Sequence, residues 1–500
     1  MTTTLAEALH EAAADTPDRV LVCDDATALT AAQLLDRATA LAHALSRRMP
    51  TGSVVSFAVP NWHEACVIYL GATLAGMVVN PILPSLRDHE LGFILADADS
   101  RAIFIPQAFA GHDYAAMLER VVAASARPPE VVVVRGEAGE HTAFADLLGE
   151  PHGGALPDLD PAATRMILYT SGTTGRPKGV MHSHESLAAL IAQLGEYWRI
   201  DPGDTFLVPS PIAHIGGSIY SFECPLLLGT RAVLMPRWDA DTAVTLMLEH
   251  RCTHMAGATP FLEGLLAAAE RAGTRLPDLK VFICGGASVP PSLVRRATQF
   301  FAAAEVSRVY GSTEVPVTTI GALGDVDRGA ETDGRPGIAD IQIVTGEIRA
   351  RGPQMFTGYL HAEDNRDSFD EAGYFRTGDL GRWTDDGCLV VTGRAKDLII
   401  RNGENISPKE VEDILVTHPQ IAEIAVVGVP DARTGERACA AIVPAGLPGP
   451  DVAELKEFLM TRGVAKFKIP EQVTLVEALP KNDAGKVLKH QLKATLTKES

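Results

Sequence analysis

A strand-like run followed by a loop of small polar residues is the first place where this chain could bind an anion. Met166–Tyr169 reads as a buried strand that leads into the loop. The loop holds hydroxyls, glycines and a lysine, namely Thr170, Ser171, Gly172, Thr173, Thr174, Gly175 and Lys178. Such groups suit phosphate oxygens, and glycines let the backbone approach closely. The spacing is not that of a Walker A loop, so we predict a phosphate loop of another kind, with an ordinary turn as the alternative.

Three segments farther along the chain hold residue types that nucleotide sites use. They are Tyr310-Gly311-Ser312-Thr313-Glu314, Gly285-Gly286-Ala287 and Thr377-Gly378-Asp379. By themselves they have plain interpretations, because glycine pairs after strands are often tight turns and single acids in such turns are often turn formers. Their interpretation as nucleotide contacts depends on the phosphate loop that precedes them.

Two segments near the carboxyl end concentrate charge. Residues 393–406 read Gly-Arg-Ala-Lys-Asp-Leu-Ile-Ile-Arg-Asn-Gly-Glu-Asn-Ile and include Arg394, Lys396 and Gly403. Residues 480–489 read Pro-Lys-Asn-Asp-Ala-Gly-Lys-Val-Leu-Lys and include Lys486. Alone, the first would be a charged turn before a strand and the second a solvated basic surface.

These six segments, in their order along the chain, resemble the motifs of the adenylate-forming superfamily, which contains acyl-CoA synthetases, carrier-protein adenylation domains and luciferases. The resemblance covers essentially the whole chain. It implies an AMP-forming acid–thiol ligase that uses ATP, Mg²⁺ and coenzyme A. Several stretches, among them Val464–Lys468, look most like bacterial short- and medium-chain acyl-CoA synthetases and cyclohexanecarboxylate–CoA ligases.

The resemblance also assigns the nucleotide contacts. Tyr310 is expected to stack on adenine, with Thr313 on a phosphate and Asp379 on both ribose hydroxyls, which the two oxygens of a carboxylate can accept together. The backbone at Gly285, Gly286 and Ala287 would form a wall beside the adenine and the acyl group. Glu314 and Thr170 are the expected Mg²⁺ contacts, since Mg²⁺ prefers oxygen ligands.

The resemblance assigns the first charged segment to the hinge of a moving carboxyl-terminal domain and the second to that domain itself. Arg394 would contact ribose or phosphate, Lys396 would be the pivot, and Gly403 would line the pantetheine tunnel in a second, thioester-forming arrangement. Lys486 would cross the domain gap to the substrate carboxylate and the α-phosphate, where its charge is useful while the acyl-adenylate forms. The sequence thus predicts an amino-terminal domain of residues 1–395 and a mobile domain of residues 396–500.

The acyl group is expected among uncharged windows of the first domain. We predict a pocket lined by Pro211–Glu223, Met255–Phe261, Ile283–Ala287 and Gly311. His214 would be a gate beside the carboxylate, or else a helix-start histidine satisfied by backbone. The windows contain no Arg or Lys, which favours a medium-size neutral acyl, alicyclic or aromatic acid.

Three functions remain open at this point. A CoA ligase is the first, and an enzyme that loads a carrier-protein phosphopantetheine is the second, because the arm resembles the end of CoA. Aryl acids are the nearest rival substrates, since Tyr220 or Ser218 could bond a ring hydroxyl. A non-catalytic nucleotide-binding protein is the third function. A homodimer also stays open.

Composition excludes several other classes. A formal charge of −19 argues against a nucleic-acid backbone or an anionic membrane as partner. The seven cysteines have no paired spacing for zinc or a redox couple. The first residues show neither a basic region nor an apolar core, and Ala65–Val79 is too short for a membrane span, so we expect a cytoplasmic protein.

Alternating helix and strand patterns must position these motifs. They predict layered α/β sheets in the large domain, where Thr30–Arg47 reads as a helix and Lys280–Cys284 as a strand. Residues 341–395 switch to short alternating runs, which indicate a small β subdomain. The segment after Lys396 reads as a small α+β unit, with a helix at Pro408–Thr417.

Overall fold

The computed structural model describes residues 4–25, 27–151, 153–170, 176–286, 289–431, 433–482 and 485–498. The predicted site residues Ser171, Gly172, Thr173, Thr174, Gly175 and Ala287 lie outside the described residues.

The helices are α1 (Leu5–Asp15), α2 (Ala31–Arg48), α3 (His63–Leu74), α4 (Asp88–Asp97), α5 (Tyr114–Ala123), α6 (Phe144–Gly149), α7 (His184–Tyr197), α8 (Ile215–Ser218), α9 (Cys224–Leu227), α10 (Ala240–Glu249), α11 (Thr259–Ala272), α12 (Pro291–Phe300), α13 (Val326–Glu331), α14 (Pro408–Leu415), α15 (Val452–Met460) and α16 (Lys489–Lys498). The strands are β1 (Val20–Cys23), β2 (Ala28–Thr30), β3 (Val54–Phe57), β4 (Val78–Pro81), β5 (Ser100–Ile105), β6 (Ala108–Phe109), β7 (His112–Asp113), β8 (Glu130–Val133), β9 (Thr142–Ala143), β10 (Thr164–Thr170), β11 (Lys178–Ser183), β12 (Thr205–Val208), β13 (Arg231–Leu234), β14 (His254–Gly257), β15 (Val281–Cys284), β16 (Glu305–Arg308), β17 (Asp340–Val344), β18 (Glu347–Arg351), β19 (Gly358–Tyr359), β20 (Phe375–Trp383), β21 (Leu389–Arg394), β22 (Ile399–Arg401), β23 (Glu404–Ile406), β24 (Ile421–Asp431), β25 (Gly435–Pro444) and β26 (Gln472–Leu475).

Two large sheets form the first part of the chain. Within the described residues, one has the strand order β16-β15-β14-β12-β13-β1-β2 and is parallel from β16 to β1. The other has the order β19-β11-β10-β4-β3-β5-β8-β9 and is parallel from β10 to β9. Helices such as α2 and α3 pack against these sheets through alanine and leucine faces. The predicted layered α/β class is confirmed.

Two smaller sheets follow. Strands β17, β18, β20 and β21 form an antiparallel sheet where the sequence predicts a β subdomain. Strands β22 to β26 form a separate sheet that is covered by α14, α15 and α16. A short helical turn, Ala395–Asp397, separates the two sheets along the chain. The division of the domains at Lys396 stays a prediction.

Local signals in the sequence explain several boundaries. Helix α2 starts after Thr30, whose hydroxyl accepts from the backbone N of Gln33 while the Gln33 side chain accepts from the backbone N of Thr30. This reciprocal pair satisfies two donors that a helix start leaves free. None of the helices in the described part of the chain combines the length and the apolar character that a membrane span requires.

One buried ion pair ties the strand before the phosphate loop to the helices beneath it. Arg165 of β10 is 2% exposed, and its Nη2 lies 2.9 Å from Oε1 of Glu223, which is 1% exposed. Glu223 ends a π-helical turn, Ile219–Glu223, and its Oε1 also accepts the hydroxyl of Tyr69 at 2.7 Å. Removing one member would leave a charge buried without its partner, which is far more costly than losing an exposed pair.

We therefore expect Glu223→Gln to lower the free energy of unfolding by about 3 kcal/mol, because Arg165 would remain charged and unpaired. Urea unfolding followed by circular dichroism measures this loss. Asp241→Asn is the matched control, since Asp241 pairs with Arg271 at the surface with 71% and 58% of the two side chains exposed. Equal losses in the two variants would contradict the expectation.

Candidate active site

Asp379 is buried between two partners that join separate motifs. It lies on β20 directly opposite Arg394 on β21, and Nε of Arg394 is 2.8 Å from its Oδ1. Its Oδ2 accepts the hydroxyl of Tyr310 at 2.8 Å. Tyr310 follows β16, and burial together with the Asp379 charge raises the pKa of its phenol well above the usual value. The structure thus brings together three predicted nucleotide residues that are up to 84 positions apart, from Tyr310 to Arg394.

Lys486 lies close enough to this group to be affected by its charges. Its side chain is open to solvent, but the surrounding protein removes part of its hydration, and this desolvation, with the positive charges of Arg394 and Lys396, lowers the pKa of the ammonium to about 8. Asp379 and Asp397 oppose the shift. The turn that holds Lys486 is closed by Asn482, whose Oδ1 accepts from the Lys486 backbone N at 2.8 Å.

The lowered pKa predicts a basic limit for any reaction that needs the Lys486 charge. Above pH about 8 the free enzyme loses that charge, so kcat/KM for adenylate formation should fall about tenfold per pH unit. In the ATP complex the phosphates favour the ammonium, and kcat should fall at a higher pH than kcat/KM. Pyrophosphate release measured from pH 6 to about 10 tests this order. Coincident basic limits would contradict it.

Glu314 is half-buried and fixed through one of its oxygens. Its Oε1 accepts the hydroxyl of Tyr359 at 2.9 Å, and its backbone carbonyl accepts from Phe356 N at 2.8 Å. Among the described residues Oε2 has no hydrogen-bond partner, which leaves a hard oxygen for another ligand. The neighbouring Thr313 carbonyl lies 2.8 Å from Nε2 of His182, a buried imidazole whose pKa burial lowers to about 4. His182 is therefore neutral at pH 7.

Lys178 lies over the ring of Tyr359, the tyrosine whose hydroxyl donates to Glu314. It begins β11 and pairs with Thr170 at the end of β10, so the phosphate loop joins two antiparallel strands rather than a strand and a helix. Its ammonium lies 4.8 Å from the centre of the Tyr359 ring and 3.4 Å from Oδ1 of Asp364. Asp364 also pairs with Arg176 at 2.6 Å. Lys178 and Glu314 thus both contact Tyr359, and Thr170 lies opposite Lys178 in the strand pair.

Two predicted glycines stand where a side chain would not fit. A Cβ on Gly285, directly after β15, would lie 2.9 Å from the Val309 carbonyl oxygen. A Cβ on Gly311 would lie 2.6 Å from the Val317 backbone N. Gly286 follows Gly285 with a φ of +81°. Ser312 accepts from the Val315 backbone N at 3.1 Å and closes the loop that precedes Glu314.

His214 stands at the start of α8 with a free ring nitrogen. Its Nε2 is buried and has no hydrogen-bond partner among the described residues, and its ring makes no cap with the helix. Burial lowers the pKa of the imidazole, so the ring is neutral at pH 7. The alternative of a helix-start histidine whose ring is satisfied by backbone is therefore not what the structure shows.

Gly403, which is predicted to line the pantetheine tunnel, lies in an exposed hairpin turn in this arrangement. With Asn402 it forms the two-residue turn between β22 and β23, with φ values of +81° and +50°. Both are exposed, and a Cβ on Gly403 would meet nothing within 4 Å. Asn-Gly is the preferred sequence for such a hairpin turn.

A cleft of about 410 Å³ lies between the first part of the chain and the Lys486 turn. Pro211, Ile212, Pro260 and Phe261 from the predicted acyl windows line it. Gly485 lines it from the opposite side, and a Cβ there would lie 2.9 Å from Cγ of Pro260. Arg237 and Lys481 also border it, so this cleft has cations that the predicted windows lack.

Sequence reasoning missed three residues that organise these groups: Tyr359, Asp364 and Asn482. Tyr359 sits on a strand of two residues, and Asp364 lies in the short helical turn Ala362–Asn365. Neither stretch has a periodicity or spacing that would single it out. Asn482 stands within the motif of residues 480–489, but the sequence does not show that its side chain accepts from the Lys486 backbone.

Comparison with known proteins gives consistent results. Residues 9–360 match the family model for AMP-binding enzymes, and residues 410–486 match that for the AMP-binding enzyme C-terminal domain. The chain is 33% identical to the medium-chain fatty-acid–CoA ligase of Escherichia coli over 98% of its own length and 90% of that protein's. It is 32% identical to a salicyl-AMP ligase/salicyl-S-ArCP synthetase of Mycobacterium tuberculosis, over 98% and 90% of the two chains. ATP-bound MatB from Rhodopseudomonas palustris superimposes with a TM-score of 0.89 at 29% identity, over 99% of both chains.

Proposed function

Because the chain belongs to the AMP-binding enzyme family and is an adenylate-forming ligase, we propose that it joins a medium-size neutral carboxylic acid to coenzyme A. The single observation that supports the assignment most is the cationic group formed by Lys486 and Arg394 beside the buried Asp379. This group brings together a carboxylate that can accept hydrogen bonds from the ribose and two cations. The cations suit a reaction between two anions, the carboxylate of the acid and ATP.

ATP is the first substrate. In this proposal the ribose hydroxyls donate further hydrogen bonds to the two oxygens of Asp379, and the Tyr310 ring, still fixed through its hydroxyl, offers a face to the adenine. Lys178 turns from Asp364 toward the phosphates, whose higher charge competes with a single carboxylate. Gly285 and Gly311 have no side chains, so they do not obstruct the approach of the nucleotide to the backbone there.

Mg²⁺ fits the donor set at Glu314. The residue offers Oε2 while Tyr359 holds Oε1, and one carboxylate together with substrate phosphates is how proteins usually bind this ion. When bound, Mg²⁺ would offset charge on the phosphate oxygens. We propose Glu314, with Thr170, as the residues that hold it.

Acyl-adenylate formation needs two anions to meet. A carboxylate oxygen of the acid attacks the α-phosphorus, the bond to the bridging oxygen breaks, and pyrophosphate leaves with the electron pair. Lys486 would screen the charge on both reactants, and the neutral His214, with its free Nε2, would face the carboxylate. No cysteine nucleophile is required, and all seven thiols are buried.

The residues that line the cleft support CoA as the thiol substrate. Phe261 and the prolines of the cleft suit a pantetheine arm, while Arg237, which does not belong to the moving domain, suits the phosphates that CoA adds to it. Ser218 donates to the Ile215 carbonyl, and buried Tyr220 stacks on Phe206 at 5.0 Å. Both observations favour an acyl or alicyclic tail over a hydroxylated ring.

The test is mass spectrometry of the products formed from Mg·ATP, CoA and a panel of acids. The panel runs from butyrate to dodecanoate and includes cyclohexanecarboxylate, benzoate and salicylate. Acyl-CoA with AMP is expected, with the highest rate for an uncharged acid of medium size. Absence of acyl-CoA with every acid, while acyl-AMP accumulates, would overturn CoA as acceptor.

Transfer to a carrier protein is the second candidate. Its support is the relative whose name includes a salicyl-S-ArCP product. It predicts efficient turnover with a holo carrier protein and poor turnover with free CoA, so adding both acceptors to one reaction separates the two proposals.

A further inference from the structure

A second cleft lies at the edge of the large parallel sheet that is opposite the motif loops. The carboxyl ends of β15 and β16 lead into Gly285 and Tyr310, so the amino ends of the parallel strands lie at the other edge. A cleft of about 500 Å³ opens there, at the starts of β1, β12, β13 and β14. It shares no lining residue with the cleft beside Lys486.

Two arginines line this cleft without an acid partner among the described residues. The Nε atoms of Arg19 and Arg231 are both buried and have no hydrogen-bond partner. Arg231 uses Nη2 to donate to the His250 carbonyl at 2.5 Å, which fixes the guanidinium at the start of β13. Buried donors are almost always paired in native structures, so two unpaired guanidinium N–H groups in one cleft point to a missing acceptor.

A third polar group at the same place is also unpaired. Thr230 is 1% exposed, and its hydroxyl has no partner among the described residues. Its neighbour Gly229 leaves room for Arg19, because a Cβ there would lie 3.1 Å from Nη1 of Arg19. The Arg19 guanidinium therefore lies against the segment that carries Thr230, and both residues line the cleft.

The remaining charges of the cleft do not neutralise these arginines. Asp278 is the one acid among the described lining residues, and Arg251 binds it through Nε at 3.1 Å and Nη2 at 2.8 Å. His250 adds no charge at pH 7, since burial and the charge of Arg231 lower its pKa. In a chain with a formal charge of −19, the cleft is thus a local site of positive charge.

We propose that this cleft binds an oxyanion of the phosphate class, held by Arg19, Arg231 and the hydroxyl of Thr230. A tetrahedral oxyanion has enough acceptor oxygens for all three groups, and guanidinium–phosphate hydrogen bonds are strong and directional. The anion would join the segment before β1 to the segment before β13. The site is separate from the proposed nucleotide site.

Isothermal titration calorimetry at low ionic strength, with inorganic phosphate and with pyrophosphate as probes, tests the proposal. Titrations are done without ATP, in the parent protein and in a Lys178→Gln/Lys486→Gln double variant that removes two cations from the proposed nucleotide site. We expect phosphate-class binding that persists in the double variant, and Arg19→Gln and Arg231→Gln should each weaken it at least about tenfold. Thr230→Val should weaken it less. A larger gain for pyrophosphate than for phosphate would assign a diphosphate rather than a single phosphoryl group.

Arg271→Gln is the control, because it removes the same charge from a surface pair with Asp241. It should keep phosphate affinity, and the single variants should keep ATP affinity and, without phosphate, the melting temperature of the parent. Binding that disappears in the Lys178→Gln/Lys486→Gln double variant, or that survives both cleft variants, would overturn the proposal. So would the absence of binding in the parent protein.

Discussion

Lys486→Ala should reduce the rate of acyl-adenylate formation by about 10²- to 10³-fold, which is the usual loss when one preorganised electrostatic partner is removed from a reaction that develops charge. The structure places this ammonium beside Arg394 and Asp379, where desolvation and like charges lower its pKa to about 8. Conversion of supplied acyl-AMP and CoA to acyl-CoA should remain within about threefold of the parent, since that half-reaction no longer joins two anions. Pyrophosphate release and acyl-CoA formation, each measured in single-turnover experiments, give the two rates.

Two matched variants separate charge from structure. Lys493→Ala removes a lysine from the same part of the chain, where it pairs with Glu436 and is 44% exposed, and it should leave both half-reactions unchanged. Lys486→Arg keeps the charge and should recover part of the adenylation rate. Equal loss of both half-reactions in Lys486→Ala would contradict the assigned role, as would parental activity, which a protein that only binds nucleotides would show.

Gly403→Phe should have the opposite effect. In this arrangement Gly403 is at an exposed hairpin tip where a Cβ meets nothing within 4 Å, so the adenylation rate should stay within about twofold of the parent. If the second domain then turns to present this tip to the acyl-adenylate, a phenyl group should displace the thiol, and a misplacement of about 1 Å costs about 10²-fold. Acyl-CoA formation from supplied acyl-AMP should therefore fall about 10²-fold.

Gly403→Ala is the control for backbone strain. Any side chain at a φ of +81° is strained, at a cost of about 1 kcal/mol, and alanine introduces this strain without the bulk. The two variants should have similar melting temperatures and similar adenylation rates. Thiol capture that is equally slow in both would assign the effect to strain, and capture at the parental rate in Gly403→Phe would contradict a tunnel at this residue.

Much of the fold follows from local patterns in the sequence. The predicted helix Thr30–Arg47 is α2, and the predicted strand Lys280–Cys284 is β15. Such elements are specified by neighbours, through apolar periodicity, a capping pair at Thr30 and Gln33, or the Asn402-Gly403 turn. The six segments, in order, were also enough to identify the family, because each segment is continuous in the chain.

The environment of each motif was decided by tertiary structure. Tyr359 joins Lys178 and Glu314 only because β11 pairs with β19, and no local pattern marks that tyrosine. Strand β11 pairs antiparallel with β10, although a buried run followed by glycines fits a strand before a helix equally well. Pairing of strands distant in the chain is set by burial of whole sheet faces, which single segments do not encode.

The sequence by itself determined which residue types are available and in what order. Only the tertiary structure decided their charge states and hydrogen bonds. Examples are the pKa of Lys486 and, within the described part of the chain, the lack of a hydrogen-bond partner for Nε2 of His214 and for Nε of Arg19 and of Arg231. The physical reason is that hydration and Coulomb energies depend on distances between groups in space. These distances are set when segments from opposite ends of the chain pack together.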